Sequence, residues 1–331
     1  MAENVIAITG ASAGVGRAAA RAFAASGAKV GLIARGTERL DATAAEINAA
    51  GGEALAVPAD VADADAIDRA AEEIERRLGP IDIWVNAAMA TIFAPFHLIA
   101  PEEYRRATEV TYLGFVHGTM AALKRMRPRN RGTIVQVGSA LAYRSVPLQS
   151  AYCGAKAAIR AFTDSIRSEL IHDGKDVHIT MVLMPALNTP QFDWARNKLR
   201  FRPQPLPPIF QPEVAARAIV FAASARRREI YVGGPTVQAV FANMVAPGLL
   251  DRFLARKGYS GQLTGEEETP GRPDNLFVPA SDPHAAHGRF DARAKGRSLE
   301  LWITEHRRAV ALSLLGVLLA GGIGIARRAR A

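Results

Sequence analysis

Val5-Ile6-Ala7-Ile8-Thr9-Gly10-Ala11-Ser12-Ala13-Gly14-Val15-Gly16 is the stretch whose reading decides the fold. Four apolar residues and a threonine, rich in β-branched side chains, predict a short buried strand. A glycine-rich turn follows, then an Ala-rich helix over 16–26 that stops at Gly27. Glycines at 10, 14 and 16 let the backbone turn sharply and come close to a pyrophosphate. The helix start behind them offers free N–H groups and the positive end of the helix dipole. A glycine-rich turn alone says little; between a strand and a helix it reads as a dinucleotide-phosphate loop formed by Gly10, Ser12, Ala13, Gly14, Val15 and Gly16.

Outward from this loop, apolar runs alternate with amphipathic ones. Further strands are predicted at 29–34, 54–59, 81–86, 133–138, 177–183 and 229–232. Helices are predicted at 37–50, 63–78, 101–126, 151–173 and 212–225, with Asp63 as an N-cap and Gly79-Pro80 past the end of its helix. Strands of this length with little internal alternation need burial on both faces, as in a parallel sheet covered by helices. The expected fold class is α/β: a doubly wound, parallel, seven-stranded Rossmann-type sheet with helices on both faces.

Composition narrows the function classes. The 331 residues are 49% apolar with one cysteine, which excludes a disulfide framework and a cysteine-rich zinc site. The seven histidines have no metal-ligand spacing, so no metal is expected, and Cys153 reads as a small packed residue. The net charge is +9, but no nucleic-acid-binding motif accompanies it, and nucleic acid is not expected as a partner. The N-terminus lacks the basic and apolar regions of a secretory signal.

After Gly233-Gly234 the pattern changes. Residues 237–256 read as one or two apolar helices. The segment 259–306 is rich in Gly, Pro and charged residues and is expected to be a polar, flexible linker. Residues 309–326 carry no charge and are flanked by Arg307-Arg308 and by Arg327-Arg328. A helix of that length spans about 27 Å, close to a hydrocarbon core of about 30 Å. The domain reading is therefore a catalytic unit at 1–258, a linker at 259–306 and a C-terminal membrane-anchor helix at 307–331. Its partner would be a lipid bilayer, contacted through 309–326.

Two further constellations carry chemistry. Arg35 stands just past the second strand, and 28–37 contains no acid to bind a ribose 2′-hydroxyl. A guanidinium there suits a 2′-phosphate, favouring NADP(H) over NAD(H). Tyr152 and Lys156 lie four apart on one helix face, and Ser139 ends the fifth strand, where ligands bind in open α/β sheets. A free phenol near pKa 10 is a poor base at neutrality, and a nearby ammonium lowers that value. Tyr152 could then exchange a proton with a substrate oxygen that Ser139 steadies. Residues 187–212 form a long apolar loop fit to cover a greasy pocket, and Arg196, Lys198, Arg200 and Arg202 add a basic strip facing lipid headgroups or an anionic substrate.

These motifs, in this order, resemble the short-chain dehydrogenase/reductase family, of the branch carrying TGxxxGxG and YxxxK, over about Val5 to Gly234. The resemblance implies Ser139, Tyr152 and Lys156 as catalytic trio, with Lys156 also holding the nicotinamide ribose. It implies cofactor contacts from Asp60 and Val61 near adenine, from Asn86 and Ala87 at the start of a modified NNAG motif, from Val110, and from Pro185 and Thr189 near the carboxamide. Thr111 stands where the family has a proton-relay asparagine. A homo-oligomer is also implied.

The expected function is an NADP(H)-dependent oxidoreductase interconverting an alcohol and a carbonyl, on a lipophilic substrate, membrane-associated with its catalytic domain in the cytoplasm. The alternatives are a polyol or sugar dehydrogenase, and a membrane-tethered NADP(H)-binding protein without turnover. Oxidation of cofactor that depends on Tyr152 separates the last from the others.

Overall fold

Each apolar run becomes a strand of one sheet: β1 (Val5–Thr9), β2 (Lys29–Ala34), β3 (Glu53–Pro58), β4 (Ile81–Asn86), β5 (Gly132–Ser139), β6 (Val177–Met184) and β7 (Glu229–Tyr231). The computed structural model describes residues 3–280 and 285–313. The strand order is β7-β6-β5-β4-β1-β2-β3, with every neighbouring pair parallel. Ile6 and Ile8 of β1 enter one apolar layer, and Val5 and Ala7 enter the other. Both faces are covered, so both sets of alternating side chains must be apolar.

The first face is packed by α1 (Gly14–Ala25), α2 (Thr37–Ala49) and α7 (Pro212–Ser224). The second is packed by α3 (Ala64–Leu78), α5 (Gly114–Arg129) and α6 (Ser150–His172), with α4 (Pro101–Thr108) leading into α5. Asp63 caps α3 by accepting from the Ala66 N–H at 2.9 Å. The helix expected over 101–126 is interrupted by a π-turn at Glu109–Leu113, which carries Val110 and Thr111. Such turns interrupt the regular helical ladder and re-aim side chains.

Two helices, α8 (Gly234–Val245) and α9 (Pro247–Gly261), occupy the apolar region 237–256. Beyond them the expectation of a solvated linker is corrected. Leu276, Ala286, Phe290 and Leu301 are buried, the last on α10 (Leu299–Glu305). Ala294-Lys295 pairs in parallel with Ile209-Phe210, and Leu263–Glu267 pairs antiparallel with Phe201–Pro203. Scattered apolar residues within a polar stretch suffice to dock it, because its charges are paired where they land. Arg272 meets Glu268, and Arg289 meets Asp193.

The basic strip of the 187–212 loop is likewise paired with carboxylates, although Arg200 stays exposed. Arg196 and Lys198 both pair with Glu103, Arg200 with Glu267, and Arg202 with Asp193 and Glu266. Among the described residues no helix is long and apolar enough to cross a membrane. The proposed anchor at 309–326 lies mostly outside the described residues, so the structure gives it no support.

Candidate active site

The sheet reverses its winding between β1 and β4, and a cleft opens at the carboxyl ends of these strands. Its volume is ≈ 440 Å³. The glycine turn forms its floor. Gly10 has φ +71°, and a β-carbon on it would lie 2.7 Å from Ala88 Cα. One on Gly16 would lie 2.2 Å from the Gly10 carbonyl oxygen. Side chains at either position would push apart the turn and the start of α1. The Thr9 hydroxyl braces the turn against β4, accepting from the N–H groups of Ala87 and Ala88 at 3.1 and 3.4 Å. Gly10, Ser12, Ala13, Gly14, Val15 and Gly16 all line the cleft. A backbone cradle with no room for β-carbons, at a helix N-terminus, fits a dinucleotide pyrophosphate.

Ser139, Tyr152 and Lys156 meet on the opposite wall. Ser139 ends β5, and its hydroxyl accepts from the Leu141 N–H at 3.1 Å and bonds the Tyr152 phenol. Lys156 is buried one helical turn on. Its Nζ donates to the Val137 carbonyl at 2.7 Å and lies 4.5 Å over the Phe115 ring and 5.6 Å over the Tyr152 ring. Burial dominates the electrostatics. It pushes the Tyr152 phenol up to about 12, against a lowering by the Ser139 bond, and takes the Lys156 ammonium down to about 7. The expected lowering of the phenol by the ammonium is not what these residues produce. Removing both groups from water disfavours the phenolate and the ammonium alike. The phenol holds its proton at neutrality, and the lysine is poised to change charge there.

Thr111 is also fully buried, but it faces neither the phenol nor the lysine. Its hydroxyl accepts from the Ala90 N–H at 2.9 Å and donates to the Ala90 carbonyl at 2.8 Å. It is a clamp between the π-turn and the strand end after β4.

At the other end of the cleft, Arg35, Val61, Ala87 and Val110 line the wall as expected, and Pro185 and Thr189 line the mouth after β6. Two expected contacts are not brought there. Asn86 is fully buried beneath the sheet end, donating to Gln136 and Thr119 and accepting from the Trp84 indole at 2.8 Å. Asp60 is held by Arg106 and by the Ala62 N–H rather than facing the cleft.

Sequence reasoning missed the cleft's outer wall. From the supposed linker, Asn275 and Pro279 line it, and 276–277 and 285–290 pack behind them. Arg35 donates to the carbonyls of Asn275, Leu276 and Phe277 at 2.6, 3.4 and 3.1 Å, and Arg106 to that of Leu276 at 3.2 Å. Further on, the Gly14 N–H donates to the Ala285 carbonyl at 3.4 Å. Gly288 and Phe290 donate their N–H groups to the backbone carbonyl and side-chain oxygen of Asn188 at 3.2 and 3.0 Å. The only sequence signal was Leu276-Phe277 and Phe290 standing among polar residues. Burial and the positive neighbour Arg106 hold Arg35 below its ordinary value, with Asp60 offsetting and Arg39 adding to the lowering.

Much of the remaining lining is apolar, including Met89, Leu141, Val146, Phe192, Leu206 and Leu254, with Arg144, Gln149, Gln204 and Gln262 among them. With this geometry in place, comparison with known proteins is informative. A family model described as "short chain dehydrogenase" matches residues 4–199. The chain is 34% identical over 277 residues to an uncharacterized oxidoreductase, YxnA, of Bacillus subtilis (strain 168), covering 83% of this chain and 78% of that one. It is 32% identical to a fatty acyl-CoA reductase of Acinetobacter baylyi (strain ATCC 33305 / BD413 / ADP1), covering 69% and 75%. A crystal structure of a metagenomic short-chain oxidoreductase in complex with NADP superposes with a TM-score of 0.59 at 27% identity, covering 70% of this chain and 97% of that one.

Proposed function

The chain belongs to the short chain dehydrogenase family and is an NAD(P)-dependent oxidoreductase, and from that premise we propose that it reduces a lipophilic carbonyl compound with NADPH. The observation that carries this reading is the buried Tyr152 phenol bonded to Ser139, with Lys156 one helical turn on, lining a glycine-floored cleft with mostly apolar walls. The nicotinamide, when bound, supplies or accepts the hydride. Tyr152 donates its proton to the substrate oxygen in the carbonyl-to-alcohol direction, and takes it back in the reverse. The Ser139 hydroxyl holds the same oxygen and steadies its developing charge. Lys156, buried one turn from the phenol with its Nζ 5.6 Å over the Tyr152 ring, is proposed to hold the ribose.

Preference for NADP(H) is supported by Arg35, which lines the cleft just past β2 with Arg106 beside it. A guanidinium has five N–H donors, so Arg35 can serve a phosphate beside the carbonyls it holds. The lipophilic substrate is supported by the apolar lining, and the name of the Acinetobacter relative points the same way. We further propose association with a bilayer through residues 309–326, with the catalytic unit in the cytoplasm, and self-assembly.

The test is Tyr152→Phe. Turnover of long-chain aldehydes and ketones should fall by about 10²–10⁴-fold or more, with NADPH binding unchanged. Unaltered turnover, or a preference for polar sugars over long-chain carbonyls, would refute the assignment.

A further inference from the structure

Helices α8 and α9 are poorly covered by the described chain. Of their residues only Thr236, Val240 and Gly258 are buried. On α8, Val237, Phe241, Met244 and Val245 recur at the spacing of one helix face, and they are 45%, 66%, 76% and 67% exposed. The adjoining flank is the docked one, where Val240 is buried and Asn243 donates to the Tyr143 carbonyl at 3.0 Å. On α9, Leu249 and Phe253 are 66% and 58% exposed, and Arg252 and Arg256 share their face at the same helical spacing. Contiguous apolar surface of this kind on a soluble domain marks a contact site.

We infer that the exposed face of α8 and α9 lies on an anionic lipid bilayer, with the mouth of the catalytic cleft opening against it. Charge decides between occupants. Helix α8 has no charged residue. On α9, Asp251 is tied to Arg144, which leaves Arg252, Arg256 and Lys257 to set the sign of the face. A second copy packed by two-fold symmetry would bring this cationic edge against itself. A bilayer with acidic headgroups meets both features at once, with apolar side chains below and cations level with the phosphates. Continuity with the cleft supports the same occupant. Phe253 stands on the exposed face and also lines the cleft, beside Leu250, Leu254 and Ala239 of the same two helices. A lipophilic carbonyl compound dissolved in the bilayer would then pass into the cleft without crossing water. The inference is independent of the 309–326 run, which could bring the chain to a membrane in any orientation.

The test uses the full chain with a polarity-sensitive fluorophore on Met244→Cys, and on Asp65→Cys as control. Asp65 is exposed on α3, which packs at the β2–β3 end of the sheet, away from β7. The native Cys153 is buried and stays unlabelled. Vesicles of phosphatidylcholine with about 30% phosphatidylglycerol should shift the emission at 244 to the blue and allow several-fold quenching by nitroxide-labelled acyl chains, with no change at 65. Replacing Arg252, Arg256 and Lys257 together by Gln should weaken that response about a hundredfold in lipid concentration, at about fivefold per cation. Three outcomes overturn the inference. The chain may float with vesicles while 244 stays in water, which leaves a C-terminal anchor intact. The two sites may respond alike. The 244 probe may become buried without lipid as protein concentration rises, which assigns the face to a second copy.

Discussion

At the scale of single residues, the site turns on two groups that burial shifts in opposite directions. Lys156 has an ordinary value of 10.5 and a folded value of about 7. Below about 7 both folded and unfolded chains hold the proton, and the cost of burying the ammonium acts in full. Between the two values the unfolded chain binds a proton that the folded chain has released, so stability rises with pH; above 10.5 the cost is gone. Lys156→Met should therefore melt several degrees higher than the parent at about pH 6, with the gap narrowing toward about pH 10, as calorimetry would show. Thr111→Val should cost about 2–4 kcal/mol in denaturant unfolding, because it strands the buried N–H and carbonyl of Ala90, while Thr111→Ser should cost far less. The trio Ser139, Tyr152 and Lys156 was legible because a helical spacing and a strand end fix where such residues stand. The fates of Asn86 and Asp60 were not, since their partners Gln136 and Arg106 lie far off in sequence and only the fold brings them together.

At the scale of elements, the strands and helices around the sheet were legible within about three residues, because each carries its own apolar pattern and stop signals. The π-turn at 109–113 and the docking of 275–280 and 285–290 carry no local signature. The latter hangs on a few long-range contacts, one of them titratable. His287 hydrogen-bonds Glu213 at 2.8 Å and Asp291 at 2.7 Å; burial lowers its pKa, but these two bonds outweigh it and raise the value above the ordinary 6.5. Its contribution is complete below 6.5 and is lost as pH rises through the raised folded value. Amide hydrogen exchange, corrected for its intrinsic pH dependence, should show protection across 285–290 falling as pH rises above 6.5. His287→Gln should flatten that profile.

At the scale of the whole molecule, the cleft is built from two distant parts of the chain. The Gly14 N–H and the Arg35 guanidinium, which a dinucleotide phosphate would use, are engaged by carbonyls of 275–277 and 285. Loosening that wall should favour the nucleotide. Leu276→Ala removes a fully buried side chain, a change that costs about 2–5 kcal/mol of local packing, and should lower the NADPH dissociation constant severalfold in a fluorescence titration. A higher constant would mean that the wall clasps the nucleotide instead. The sheet itself was legible from one strand–turn–helix unit and its repeats. The wall was not, because polar composition masks how few apolar residues are needed to seat a segment already tethered nearby.

The same wall has a consequence for birth rather than for equilibrium. A ribosome releases the glycine turn early and residues 275–290 late, and chains fold from the N-terminus as they emerge. A nascent enzyme therefore offers its nucleotide groove with no competitor, for as long as the remaining codons take to read. Loading during translation and loading of the finished protein are different contests, and the first favours the nucleotide.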